Sequence, residues 1–318
     1  MNSETGSSTD TGNAGSDQTH TATSDGRTQT RSTTGSTGAG SAPTTGTTGT
    51  TGTTGTTGTT GMTGTTDTTG TTGTTGTTGT TSVMSCPQDD VLFVGNSYTS
   101  ANGLANLVAG FAAAAGCSPN FESRAPGGYR FLDHASDATT TGRIASRPWH
   151  AVVLQNQSQV PGWRPDDVRT GSLPHAQTLA GQIRANDASR RVVYFMTWGR
   201  TDGDTGNCGY YPLVCTFEGH QEALAAGYQM YTDETLGELS PVGLAWLEVR
   251  ADPSPPFPAT DLWSSDGSHP SALGSYLAAA VLYYTVYAQS PVGLSYDAGI
   301  DAAAANYLRG VAAAVVEG

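Results

Sequence analysis

Two short stretches of this sequence carry side chains that could act on an ester. In Val91-Leu-Phe-Val-Gly-Asn-Ser-Tyr-Thr, an apolar run breaks at Gly-Asn and leaves Ser97 at the turn. In Asp266-Gly-Ser-His269-Pro270, a carboxylate stands three residues before an imidazole. Serine ester chemistry needs a hydroxyl to attack, an imidazole to take its proton and a carboxylate to orient that imidazole. It also needs hydrogen-bond donors aimed at the developing oxyanion. Taken singly, each stretch has a plainer use. Ser and Asn are ordinary helix N-caps, and Asp and Ser are common in turns. Pro270 suits the first position of a helix, which leaves Asp266 and His269 in the loop before it, within hydrogen-bonding reach of one another. Only the elements around them can bring the two stretches together.

From Cys86 onward, strand-like and helix-like segments alternate. Strands are expected at Val91–Val94, Phe121–Arg124, His150–Leu154, Arg191–Thr197 and Val242–Val249. Helices are expected at Leu104–Ala115, ending at Gly116, and at 173–187, His220–Leu239, Ser271–Ala288 and Asp301–Val316. Apolar strands alternating with helices of this length predict a parallel sheet covered on both faces, a three-layer α/β/α domain. Ligands in such sheets bind beyond the carboxyl ends of the strands. The residues standing there are Gly95-Asn96-Ser97, Gly127-Gly128 and Gln155-Asn156-Gln157-Ser158, with Asp266 and His269 before the penultimate helix.

This order of blocks resembles the SGNH-type (GDSL-like) hydrolases over residues 88–290, and most of all their branch with Gly-Asn-Ser-Tyr-Thr in place of Gly-Asp-Ser. The resemblance implies a flavodoxin-like sheet and acyl-ester hydrolysis without a metal or other cofactor. It implies that Ser97 is the nucleophile, with Asp266 and His269 completing the catalytic set. Its oxyanion donors map to the Ser97 and Gly128 backbone, with Gly127 as the alternative glycine, and to a third-block side chain at Gln157. There the sequence departs from the family's Asn: Gln157 is one methylene longer, and Asn156 competes for the role. Asn96, Asn156, Trp163 and Trp198 are candidate substrate contacts, and Trp263 also stands beside a site loop.

The composition divides the chain. Residues 1–85 are almost entirely Thr, Gly, Ser and Ala with no aromatic residue, too little apolar surface to offset the entropy of ordering. From Gly46 to Gly79 a glycine recurs at every third place, as in collagen, but the run has no Pro and Asp67 occupies a glycine place. A flexible Thr/Gly stalk with hydroxyls open to O-glycosylation is expected at 1–85, and a hydrolase domain at 86–318.

The net charge is −13, of which the expected domain carries −10, so nucleic acid and anionic membrane surfaces find no electrostatic footprint. All fourteen basic residues are Arg, which excludes Schiff-base chemistry on lysine. Four cysteines, Cys86, Cys117, Cys208 and Cys215, fit no zinc spacing and suggest an oxidising compartment. Cys208 and Cys215 could close a small loop, and Cys86 and Cys117 could staple the first strand and helix. Residues 1–40 hold no secretory or transmembrane apolar run, so a secreted, periplasmic or surface location, with tethering through the stalk, is inferred from the stalk and the cysteines.

No histidine has a metal-ligand spacing, His134 reads as structural, and Asp202-Gly-Asp204-Thr-Gly-Asn207 lacks the closing Glu of a calcium loop. The resemblance, taken with an exported domain on a stalk, implies a short-chain acyl ester as substrate, an O-acetyl ester on a small molecule or carbohydrate. The rival reading is a stalked glycan-binding or adhesion module, which has no need of Ser97, Asp266 and His269 together. A metal-dependent phosphoesterase would need a ligand cluster that the sequence lacks.

Overall fold

The computed structural model describes residues 90–185 and 187–318. The expected stalk, residues 1–85, lies outside them. Five strands, β1 (Val91–Val94), β2 (Phe121–Arg124), β3 (Ala151–Leu154), β4 (Arg191–Phe195) and β5 (Glu238–Ser240), form one parallel sheet in the order β2-β1-β3-β4-β5. The turn after β1 opens α1 (Ser97–Ser100), followed by α2 (Leu104–Ala114), α3 (Phe131–Ser136), α4 (Ala138–Ala145), α5 (Pro165–Gly171) and α6 (Leu173–Arg184). The second half of the chain adds α7 (Phe217–Thr235), α8 (Val242–Ala251), α9 (Ala272–Tyr287) and α10 (Ala302–Glu317).

Side-chain alternation divides the core between the two faces of the sheet. Val91, Phe93, Val153 and Phe195 point into one cluster with α2, α8, α9 and α10. Leu92, Val94, Val152, Leu154 and Tyr194 point into the other with α3, α6 and α7. Because both faces are covered, the central strands β1, β3 and β4 read as nearly unbroken apolar runs.

The fifth strand departs from expectation. Val242–Ala251 is helical, and its buried residues Val242, Ala245, Trp246 and Val249 fall at helical spacing. The strand is Glu238–Ser240, a stretch expected to close the preceding helix. Helix α7 stops earlier because Leu236 takes a left-handed backbone at φ 53° as its cap. Gly237 then passes so close to Tyr194 that a Cβ would meet its ring at 2.6 Å.

Cys208 and Cys215 form a disulfide. The pairing expected for Cys86 lies outside the described residues. No helix among the described residues is long and apolar enough to cross a membrane.

Candidate active site

Strand order reverses between β1 and β3, and the open crevice of a parallel sheet lies there. β1 delivers Gly95-Asn96-Ser97 to its edge, and β3 delivers Gln155 to Ser158. The Ser97 turn is braced from beneath. The Oε1 of buried Gln155 accepts from the Asn96 backbone N–H at 2.9 Å and from the Thr99 hydroxyl at 2.8 Å. Buried His134 sits 2.9 Å from the Gly95 carbonyl through Nε2 and 3.0 Å from Thr140 Oγ1 through Nδ1. Burial pushes the His134 imidazole below its ordinary pKa. Gly95 leaves no room for a side chain, since a Cβ would stand 2.3 Å from Thr99 Oγ1 and 2.6 Å from Gln155 Oε1. Asn96 caps the turn by accepting from the Tyr98 N–H at 3.1 Å and donates to the Tyr129 carbonyl at 2.9 Å.

Across the crevice, the loop before α9 presents Asp266 and His269. The His269 Nε2 lies 2.8 Å from Ser97 Oγ, and its Nδ1 lies 2.6 Å from Asp266 Oδ2. Asp266 Oδ1 accepts from the backbone N–H groups of Ser268 and His269, each at 2.9 Å. Burial raises the Asp266 pKa, but the hydrogen bonds from His269 and the two N–H groups outweigh it and hold the carboxyl at about 2. Gly267 takes φ +66°, and a Cβ there would meet Thr201 Oγ1 at 2.2 Å. The loop is tied to the first strand's side of the site as well: Tyr98 Oη lies 2.6 Å from Ser268 Oγ, and Asn102 Nδ2 donates to the Pro270 carbonyl at 3.1 Å.

Ser97, His269, Gly128 and Gln157 share a cleft of about 270 Å³ with Asn96, Tyr98, Ser158, Arg200 and Ser268. Gly128 has φ +73°, and its N–H makes no hydrogen bond among the described residues. The Ser97 N–H begins a helix and has no intrahelical acceptor. Gln157 donates one amide hydrogen to Gln159 Oε1 at 3.2 Å, leaving its second donor free.

The other sequence candidates divide differently. Asn156 is fully buried and committed: Oδ1 accepts from the Phe131 and Gln157 N–H groups, and Nδ2 donates to Ser172 and Tyr231. Trp198 is also fully buried, stacked between Tyr98 at 4.8 Å and Trp246 at 4.0 Å, and it donates to the Ser268 carbonyl. The expectation that Asn156 and Trp198 face substrate is corrected by that burial; both hold other residues in place. Trp263 is buried as well and donates to the Gly199 carbonyl. Trp163 lines a separate cleft of about 370 Å³ with Arg164, Tyr210 and Tyr211, none of which lines the Ser97 cleft.

Sequence reasoning gave no role to Gln155, Tyr98 or Arg200. Arg200 carried a readable signal, a charged residue just past the carboxyl end of a strand. The Asp202–Asn207 turn gains a use: buried Asp204 accepts from Asn207 Nδ2 and from Gln159 Nε2, the residue that holds Gln157.

No protein-family model matches the chain, and no curated protein matches it. Solved structures do. A candidate SGNH hydrolase from Slackia heliotrinireducens superposes with a TM-score of 0.51 at 24% identity, covering 62% of this chain and 98% of that one. A DUF4886 family protein from Bacteroides uniformis ATCC 8492 superposes with a TM-score of 0.60 at 17% identity, covering 72% of this chain and 95% of that one. The chain shares their fold. At these identities the likeness concerns architecture; the chemistry has to be argued from the side chains.

Proposed function

We propose that the protein is an SGNH-type serine hydrolase that cleaves short-chain acyl esters through an acyl-enzyme on Ser97. The observation that carries this reading is the unbroken chain from Ser97 Oγ through His269 to Asp266, at 2.8 and 2.6 Å. The flavodoxin-like strand order, with the site at its reversal, supports it.

Ser97 Oγ attacks the acyl carbonyl while His269 Nε2 takes its proton. Asp266, ionised at any pH well above 2, fixes the tautomer that leaves Nε2 free to accept, and it stabilises the imidazolium that forms. The tetrahedral oxyanion is held by the Ser97 and Gly128 N–H groups and the free Gln157 amide hydrogen. Collapse expels the alcohol, which takes the proton from His269. Water, deprotonated by the same imidazole, then releases the acid.

The substrate class follows from the setting: a short acyl group, O-acetyl on a small molecule or carbohydrate, met outside the cytoplasm by a domain spanning 86–318 on a Thr/Gly stalk. The disulfide within the site-side loop is consistent with export.

The test is a panel of chromogenic esters of rising acyl length, combined with an organophosphonate that labels activated serines. Turnover of the short esters and one phosphonyl adduct, mapped to Ser97 by mass spectrometry, are expected. No turnover with no adduct, or an adduct elsewhere, would sink the reading.

A further inference from the structure

Arg200 stands in the Ser97 cleft, the one arginine among the residues that line it. Arg124, Arg147 and Arg191 each hold a carboxylate within 4 Å, while Arg184 and Arg309 are taken up by backbone carbonyls. Arg200 holds no carboxylate among the described residues. Its Nη2 donates to Ser158 Oγ at a long 3.3 Å, and its buried Nε has no acceptor among the described residues. The backbone N–H fixes the residue by donating to buried His220 Nδ1 at 3.3 Å. A half-buried guanidinium with an unmatched buried donor is costly unless an anion completes it. A guanidinium offers five donors in a planar fork; here the hydroxyls of Ser158 and Tyr98 are its side-chain partners, both neutral.

The surroundings sharpen the point. The domain is strongly acidic, so its long-range field discourages anions, and a lone cation at the cleft wall acts only at contact distance. One guanidinium, with no second arginine lining the cleft, matches a monoanion better than a doubly charged phosphate.

We propose that Arg200 selects esters that carry a carboxylate close to the scissile bond. The inference rests on the esterase reading above, and it names the substrate class: either a half-ester of a dicarboxylic acid, with the charge on the acyl side, or an acylated uronic acid, with the charge on the alcohol side. Arg200 is then a specificity determinant that contributes to binding and takes no part in proton transfer.

Two isosteric pairs of substrates test it with the full-length protein. The 4-nitrophenyl ester of glutaric acid is paired with that of pentanoic acid, and O-acetyl methyl glucuronide with O-acetyl methyl glucoside. In one pair, wild type is expected to prefer the charged member in kcat/KM by about ten- to a hundredfold, the worth of one charged hydrogen-bonded contact. That pair identifies which side bears the charge. The preference should fall toward one in Arg200→Gln, chiefly through KM of the charged ester, and be partly kept in Arg200→Lys.

A ratio at or below one in both pairs overturns the proposal. So does a ratio that Arg200→Gln leaves unchanged because both members lose kcat alike; that pattern would make Arg200 part of the oxyanion machinery. If no ester in either pair is turned over, the esterase reading has failed, and calorimetric binding decides this one separately. Ser97→Ala should bind glutarate or glucuronate and lose it with Arg200→Gln; absence of carboxylate binding there overturns the inference.

Discussion

The two halves of the Ser97–His269–Asp266 chain are held by different means. The Ser97 turn is set from below, by fully buried Gln155 and His134 and by a glycine with no room for a Cβ. The Asp266–His269 loop is set from within, by backbone N–H groups on Asp266, and its side chains are 49% and 40% exposed. The buried residues that position Ser97 cannot be altered without touching stability. A group positioned by its own loop can. The contrast also reaches beneath the loop, where the Tyr98–Trp198–Trp246 stack ties its Ser268 to the core.

The largest effect should come from Ser97→Ala, which removes the attacking atom and touches no part of the brace. Ester turnover should fall by at least about 10⁴-fold while unfolding free energy changes by less than about 1 kcal/mol. Steady-state kinetics with urea titration checks both, and near-wild-type turnover would dismiss the assignment of Ser97.

Next comes the neighbouring pair on β3's end, where adjacent side chains should fail in opposite ways. Gln157→Ala should lower kcat by about 10²–10³-fold with little change in stability. Asn156→Ala should cost about 1–3 kcal/mol of stability, because it strands two backbone N–H groups and two hydroxyl partners in the interior. If the kinetic loss follows Asn156 and spares Gln157, the third donor has been misassigned.

Gly95→Ala probes the brace itself. Its methyl would press on Thr99 and Gln155, so stability should fall by about 1–3 kcal/mol and activity should fall with it as the turn shifts. Gly128→Ala makes the contrast, since open space surrounds that position and only its positive φ resists. Equal melting behaviour for the two variants would remove the tight contacts of Gly95 from the brace beneath Ser97.

The last effect is electrostatic and is seen in stability alone. Burial holds His220 at about 4, against an ordinary 6.5, so the folded state keeps it neutral where the unfolded chain takes up a proton. The folded pKa is the lower one, so this stability is full above about pH 6.5 and is lost as pH falls toward 4. The loss amounts to at most about 3 kcal/mol. Urea midpoints at pH 7 and 4.5, compared with those of His220→Gln, should show a shallower acid loss in the variant. Parallel curves would remove His220 from the account.

Much of this molecule was determined by the sequence alone. Ser97, Asp266 and His269 stood out because the chemistry accepts few residue types and because each sat at an element boundary. Strands β1, β3 and β4 were legible because burial on both faces writes a nearly unbroken apolar run, and the long helices because small and apolar residues fill them. The tertiary structure decided the rest. The run Val242–Val249 is apolar enough for a strand, and only the left-handed stop at Leu236 and the tight passage of Gly237 shift the strand back to Glu238. Asn156 and Gln157 are both amides in one block beyond the end of β3 at Leu154, and one is sunk among Phe131, Ser172 and Tyr231 while the other reaches the cleft. Trp198 looked like a platform for substrate because it follows a strand; its burial beneath Tyr98 makes it a support. Arg200 acquires meaning only in three dimensions. An arginine is defined by the anions around it, and whether a carboxylate lies within 4 Å is settled by packing across the whole fold.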